Sequence, residues 1–186
     1  RWVVRQAIHL IAAYQSAGKE LQLEVNLSGK AFADRELLPM IQRELVATGI
    51  DPTSLILEVT ETAAIANIDQ AQKFLRTLKV LGCGFALDDF GVGFSSFSHL
   101  KHLPVDYLKI DGSFIRDLAR NAGDQHLVQA IVGVARGLGK RTIAEFVGDD
   151  ETLRLLREYG VDFAQGYFIG RPAPIPDVAD GARQAA

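Results

Sequence analysis

Asn26, Glu58, Asp88, Asp89, Lys109, Glu145 and Gln165 each close a short apolar run, and together they form an oxygen-rich set with one amine. The runs are LQLEVN, SLILE, GFALDD, VDYLK, RTIAE and DFAQ. Carboxylates and carboxamides are hard ligands, suited to Mg²⁺ or Mn²⁺. Negative charge at that density is prohibitive to bury unless a cation balances it. Any one of these residues could be the ordinary polar end of a strand where a loop begins. Six runs in succession, each ending the same way, point instead to one shared metal site and a metal-dependent enzyme.

Such a site requires the run ends to meet. Helical stretches lie between the runs, so the strands should be parallel, with their carboxyl ends on one face. That face is where β/α barrels build active sites. The periodicity predicts helices over 2–17, 32–47, 67–81, 124–138 and 149–159, and strands over 21–27, 54–60 and 161–168. A third strand ends at Asp88–Asp89, a fourth at Lys109 and a fifth over 141–145; a short helix is expected from Phe97 to His102. Strand alternation puts Gly84, Ala86 and Asp88 on one face and Phe85 and Leu87 on the other. The same parity pairs Ile56 with Glu58, Tyr107 with Lys109, and Ile143 with Glu145. A regular strand cannot aim Asp88 and Asp89 the same way, so the second must swing through the turn that follows.

An open doubly wound sheet uses only a few strand ends at its switch point, whereas a closed barrel uses them all. The reading is therefore an α/β, TIM-like (β/α) barrel with six of its eight strands in this chain. A whole barrel takes about 250 residues, against 186 here.

Composition narrows the function classes. Hydrophobic residues at 48% and charged residues at 23% suit one globular core. A net charge of −3 opposes a broad surface for nucleic-acid polymers or membranes. The single cysteine, Cys83, rules out an internal disulfide and fits a reducing compartment. DFG at 89–91 resembles a kinase motif, but no HRD loop accompanies it, and Ser96 stands where a dinucleotide loop needs its third glycine. His99 and His102 have helical ligand spacing, yet a solvated or packing role explains them as well.

VNLS, LEVTET, LDDFGVGFSSFSHLKHLPVDYLKIDGSF, IAEFV and DFAQGYFIGRP resemble, in order and spacing, the motifs of the EAL-domain family. Its members are phosphodiesterases that linearise the bacterial messenger cyclic di-GMP. The resemblance implies a TIM-like barrel with one antiparallel strand and a site for two divalent ions, Mg²⁺ or Mn²⁺. It implies metal ligation by Asn26, Glu58 and Asp88, service to the second ion by Asp89, and a further metal-site acid at Glu145. Lys109 matches the lysine that positions or deprotonates the attacking water, and Gln165 the glutamine near that water. Glu61 matches the acid anchoring the loop at 90–98, through which a homodimer is expected. The domain is expected over 1–178, with a frayed tail at 179–186. Cytoplasmic location is expected, with any membrane anchor in sequence not present here.

The pattern also departs from the family. The glutamate-alanine-leucine motif that names it precedes residue 1, so this fragment alone is expected to be inactive even if its parent is a fast enzyme. After Glu145, the family's glycine-valine-glutamate is replaced by Phe146, Val147 and Gly148, with Asp149, Asp150 or Glu151 as candidate substitutes. Two alternatives follow: a non-catalytic cyclic di-GMP receptor, or an unrelated barrel lyase or isomerase using one Mg²⁺.

Overall fold

The computed structural model describes residues 1–92 and 100–174. Helix α1 (Trp2–Ser16) leads to β1 (Leu23–Asn26), α2 (Leu37–Thr48), β2 (Leu55–Thr60), α3 (Glu61–Ala66) and α4 (Ile68–Leu81). Then come β3 (Gly84–Phe90), β4 (Tyr107–Ile110), α5 (Ala122–Gly137), β5 (Arg141–Ala144), α6 (Asp150–Tyr159) and β6 (Phe163–Ala164). The strands form one sheet in the order β1-β2-β3-β4-β5-β6, and every neighbouring pair is parallel. A doubly wound sheet reverses its order at a switch point. This one never reverses, and it winds in one direction as a barrel wall does.

Two apolar layers flank the sheet. The larger joins Leu55, Leu57, Val59, Phe85 and Leu87 to the helices, through residues such as Ile8, Ile11, Ile41, Leu75 and Val128. The smaller contains only Ile56, Ala86, Tyr107 and Ile143. These four come from β2, β3, β4 and β5, each two positions before Glu58, Asp88, Lys109 or Glu145. They form the floor of the barrel interior, as the expected parity requires. Gly84 continues the same face: a Cβ there would lie 2.9 Å from Ile56 Cγ1, so only glycine fits.

Most elements lie within two residues of the expected ranges, and three departures are larger. Helix α2 begins at Leu37, after a 3₁₀ turn at Gly29–Ala33, because Pro39 has no N–H and belongs in a first helical turn. Thr60 caps α3 directly after β2, accepting a hydrogen bond from Ala63 N, so helix begins before the 67 expected. Strand β6 has two residues instead of eight. Its continuation bonds to the segment after β5, with Val147 N donating to Gln165 O and Phe168 N to Val147 O. Half of the short helix expected at 97–102 and most of the loop at 90–98 fall outside the described residues, and the tail at 179–186 lies wholly outside them. No antiparallel strand occurs among the described residues.

Candidate metal centre

Strand register brings the polar run ends together. Asn26 is level with Glu58 across β1 and β2, Thr60 with Asp88 across β2 and β3, and Lys109 with Ile143 across β4 and β5. The Lys109 ammonium is the hub: Nζ lies 2.8 Å from Glu145 Oε1, 2.9 Å from Glu58 Oε2 and 3.1 Å from Asp88 Oδ1. The Lys109 side chain is only 4% exposed and that of Glu58 only 3%, so the attraction acts with little solvent screening. Burial alone would lower the Lys109 pKa. Hydrogen bonds and charge from Glu145 and Glu58 outweigh burial and raise it, so the amine is held as ammonium.

Asp89 reaches the same place by a backbone irregularity. The register of β3 against β4 shifts between Leu87 and Phe90, and Asp89 has φ 54°, in the left-handed region. That conformation costs an L-residue about 1–2 kcal/mol, and here it turns consecutive side chains toward one site. Asp88, Asp89 and Glu145 each place a carboxylate oxygen within 4.8 Å of the others. Burial, then the charges of Asp88 and Asp111, push the Asp89 carboxyl above its ordinary range. Glu145 is also raised, by burial in spite of Lys109.

A divalent cation fits this donor set. Glu58 Oε2 and Asp88 Oδ1 are buried and have an ionic neighbour in Lys109, but neither has a well-aligned hydrogen bond. One ammonium is set against Glu58, Asp88 and Glu145, with Asp89 beside them, so negative charge is in excess. All these donors are oxygen, the chemistry of Mg²⁺ and Mn²⁺ sites.

Gln165 and Glu61 flank the cluster. Gln165 N donates to Ala144 O at 2.8 Å, and Gln165 joins Glu145 in lining an open cleft of about 800 Å³. Glu61 is buried in the first turn of α3, and its Oε2 accepts from Gly91 N at 3.4 Å. Glu61 is therefore tied to the start of the loop after β3. Of the candidate substitutes for the acid missing at Gly148, Asp149 is committed elsewhere: it caps α6, accepting from Thr152 N at 2.7 Å. Asp150 and Glu151 lie in the exposed first turn of that helix.

Some participants escaped the sequence reading. Glu24, two positions before Asn26 on β1, has its pKa raised by burial and then by Glu58. Its parity with Asn26 was a usable signal. Asp111 accepts from Ser113 N at 2.8 Å, and it also bears on Asp89. Phe146 was seen as a departure from pattern, though not as part of the cleft wall that it forms with Tyr167 and Arg171.

A singly wound parallel β/α wall with acids at its carboxyl edge defines a TIM-like barrel class. The chain belongs to the EAL domain family, whose model matches residues 1–172. It is 40% identical over 173 residues to the cyclic di-GMP phosphodiesterase PdeB of Shewanella oneidensis, covering 93% of this chain and 20% of that protein. The structure of the phosphodiesterase PaMucR in complex with c-di-GMP aligns with a TM-score of 0.87 at 36% identity, over 93% of this chain and 70% of that one. BlrP1 of Klebsiella pneumoniae, in a manganese and cyclic di-GMP complex, aligns with a TM-score of 0.81 at 31% identity, over 91% and 44%. The chain thus spans about a fifth of the length of PdeB.

Proposed function

We propose that this domain is the catalytic part of a Mg²⁺- or Mn²⁺-dependent phosphodiesterase that opens cyclic di-GMP to the linear dinucleotide. The observation that carries this reading is the convergence of Glu58, Asp88 and Glu145 on Lys109 with Asp89 turned toward them. The named activity of PdeB and the ligand of PaMucR supply the substrate class.

Asn26, Glu58, Asp88, Asp89 and Glu145 would hold two cations. When bound, the cations supply positive charge to the diester oxygens and acidify an attacking water. Glu145 and Asp88 fix the position of Lys109, which keeps a buried positive charge facing the reacting phosphate. As an ammonium it can donate to that water or to a phosphate oxygen, and so orients instead of abstracting a proton. Gln165, beside Glu145 in the cleft, offers an amide to the same water. Glu61 holds the loop after β3 through Gly91 and so sets where Asp89 points. A homodimer contact through residues 90–98 belongs to this proposal.

The test is hydrolysis of cyclic di-GMP by the full-length protein, with Mg²⁺ or Mn²⁺ and with a chelator. Metal-dependent conversion to the linear dinucleotide is expected, and its absence overturns the catalytic reading. A second reading, a receptor that binds without turnover, is favoured by one feature. Gly148 supplies no carboxylate and Asp149 is spent on a helix cap. Binding without hydrolysis would decide for the receptor.

A further inference from the structure

Strand β3 carries one residue more than its neighbour can match. Leu87 pairs with Leu108 and Phe90 with Ile110, so Asp88 and Asp89 together face Lys109 alone. The larger apolar layer requires this, because Phe85, Leu87 and Phe90 are all buried in it, at a step of two and then a step of three. A bulge of this kind re-aims side chains, and the surplus residue here is an acid of the metal centre. The left-handed backbone at Asp89 is strained. Sliding one flank of the bulge along β4 would release that strain.

Both flanks are held. On the carboxyl side Phe90 is buried, and its carbonyl accepts from Asp111 N. On the amino side the holding group is Asp106, one residue before β4. Its backbone N donates to Phe85 O at 2.9 Å, while its Oδ2 accepts from Phe85 N at 2.9 Å. One residue thus takes both polar groups of the Phe85 main chain. Its Oδ1 is fixed in turn by Lys79 from the last turn of α4, and its carbonyl accepts from Arg141 N at the start of β5. Three strands and a helix meet at this aspartate. The device recurs where there is no bulge. Val161-Asp162-Phe163 repeats the pattern of Val105-Asp106-Tyr107, and Asp162 Oδ2 accepts from Thr142 N at 2.7 Å and from Thr142 Oγ1 at 3.0 Å. There β5 and β6 run in step. An aspartate at a strand entrance is therefore a register clamp in this wall, and of the two, the clamp on β4 has a strained acid downstream.

We propose that Asp106 is a positioning residue for the metal centre, clamping the start of β3 so that its surplus residue stays at Asp88–Asp89. The proposal rests on the two-cation reading above, in which Asp89 serves the second ion. It adds a residue at the opposite end of the strands from the site. Without the clamp, the Ala86–Tyr107 and Leu87–Leu108 pairs alone hold the amino flank. A small slide there lets the backbone at Asp89 relax toward a common conformation and turns its carboxylate away from Asp88 and Glu145. Glu58, on β2, and Glu145, after β5, lie off the bulge, so the first ion loses little.

The experiment titrates Mn²⁺ into the full-length protein without substrate, followed by calorimetry and electron paramagnetic resonance. Asp106→Ala, Asp106→Asn, Asp89→Ala and the double variant Asp89→Ala/Asp106→Ala are compared with the parent. Alanine at 106 should weaken the second Mn²⁺ about tenfold, the low end for outer partners of metal ligands, and leave the first nearly unchanged. Asparagine gives up the Lys79 ion pair but keeps an oxygen for Phe85 N, so it should bind both ions as the parent does. With Asp89 already gone, Asp106→Ala should cost the remaining ion nothing more, the non-additivity of residues that act through one another. Activity should agree: half-maximal Mn²⁺ rises about tenfold with alanine, and saturating Mn²⁺ restores kcat. If the alanine variant fails to fold, Asp106→Ser takes its place, since a serine hydroxyl is too short to reach Phe85 N. Equal affinity for both ions in the parent and in that variant overturns the inference and leaves the proposed function standing. Equal weakening of both ions, no recovery with asparagine, or a further loss in the double variant also overturns it, by showing a general loosening of the wall. A parent that binds fewer than two Mn²⁺ overturns the two-cation reading together with it.

Discussion

Replacing Lys109 by methionine should leave a protein whose stability depends on the metal. The ammonium is the common partner of Glu58, Asp88 and Glu145 at 2.9, 3.1 and 2.8 Å, and its side chain is 4% exposed. Methionine fills similar volume without charge, so the three acids would face one another with no counter-charge. Breaking a buried ion pair from one side costs about 3–5 kcal/mol, a large share of the 5–15 kcal/mol typical of a domain. At about 2–4 °C per kcal/mol for this size, the metal-free variant should melt on the order of 10 °C lower. Saturating Mg²⁺ or Mn²⁺ supplies the missing charge, so most of that loss should return while turnover stays abolished. The assay is thermal melting of the full-length parent and variant, each in chelator and in metal, followed by activity. An equal loss with and without metal would refute the reasoning, since the lysine would then be stabilising through packing alone.

Glu58→Ala and Asp88→Ala should each abolish turnover with the fold retained, because removing one acid relieves like-charge repulsion; near-normal turnover would sink the site. Glu61→Ala should raise the metal concentration for half-maximal activity about tenfold, as expected for losing a hydrogen bond to a charged group, and an unchanged metal titration would make it an ordinary buried acid. Gly166→Ala puts a Cβ 2.3 Å from Val147 N and O, so the cleft wall must shift; lower melting and weaker ligand binding are expected together. The pH dependence has a definite sign. Asp89 and Glu145 have folded pKa values raised above ordinary carboxyls, so the folded state holds more protons than the unfolded chain. Their contribution to metal-free stability therefore falls as pH rises from the ordinary carboxyl range through the raised values. Lys109, raised above 10.5, keeps its contribution through neutral pH and loses it only in strong alkali. Melting in chelator between pH 4 and 7 should show the fall attributed to the acids, and saturating Mg²⁺ should remove it.

Most of the wall was legible because the rule behind it is local. Alternation along a strand fixes which side chains share a face, and Ile56, Ala86, Tyr107 and Ile143 fell where parity put them. The pair Asp88–Asp89 was legible as a problem: a regular strand cannot aim both, and the shifted register with φ 54° at Asp89 is the solution. What could not be read depended on partners distant in sequence. Strand β6 is short because its continuation bonds to Val147, a choice that no propensity within DFAQGYF expresses. The use of Asp149 as a cap was readable from the Asp-x-x-Thr spacing, and it removes that acid from the list of substitutes. Phe146 marked a break in pattern, but its exposure and its Arg116 contact needed coordinates.

The unbroken strand order also governs how the wall comes together in time. Paired residues on neighbouring strands are as little as 20 residues apart, as with Ile143 and Phe163, and as much as 34 apart, as with Tyr107 and Arg141. Among the described residues each paired strand is also the next in sequence, so this part of the wall can advance one unit at a time with modest loop entropy at each step. On a ribosome that advance runs from the amino end. Glu58, Asp88 and Asp89 emerge first, and an assembling edge carrying only these acids repels itself. Lys109, arriving with β4, is the first residue that makes their proximity favourable. Docking of β4 should therefore be the step at which the half-built edge becomes committed, and cations in the surrounding solution should matter most to the chain just before it.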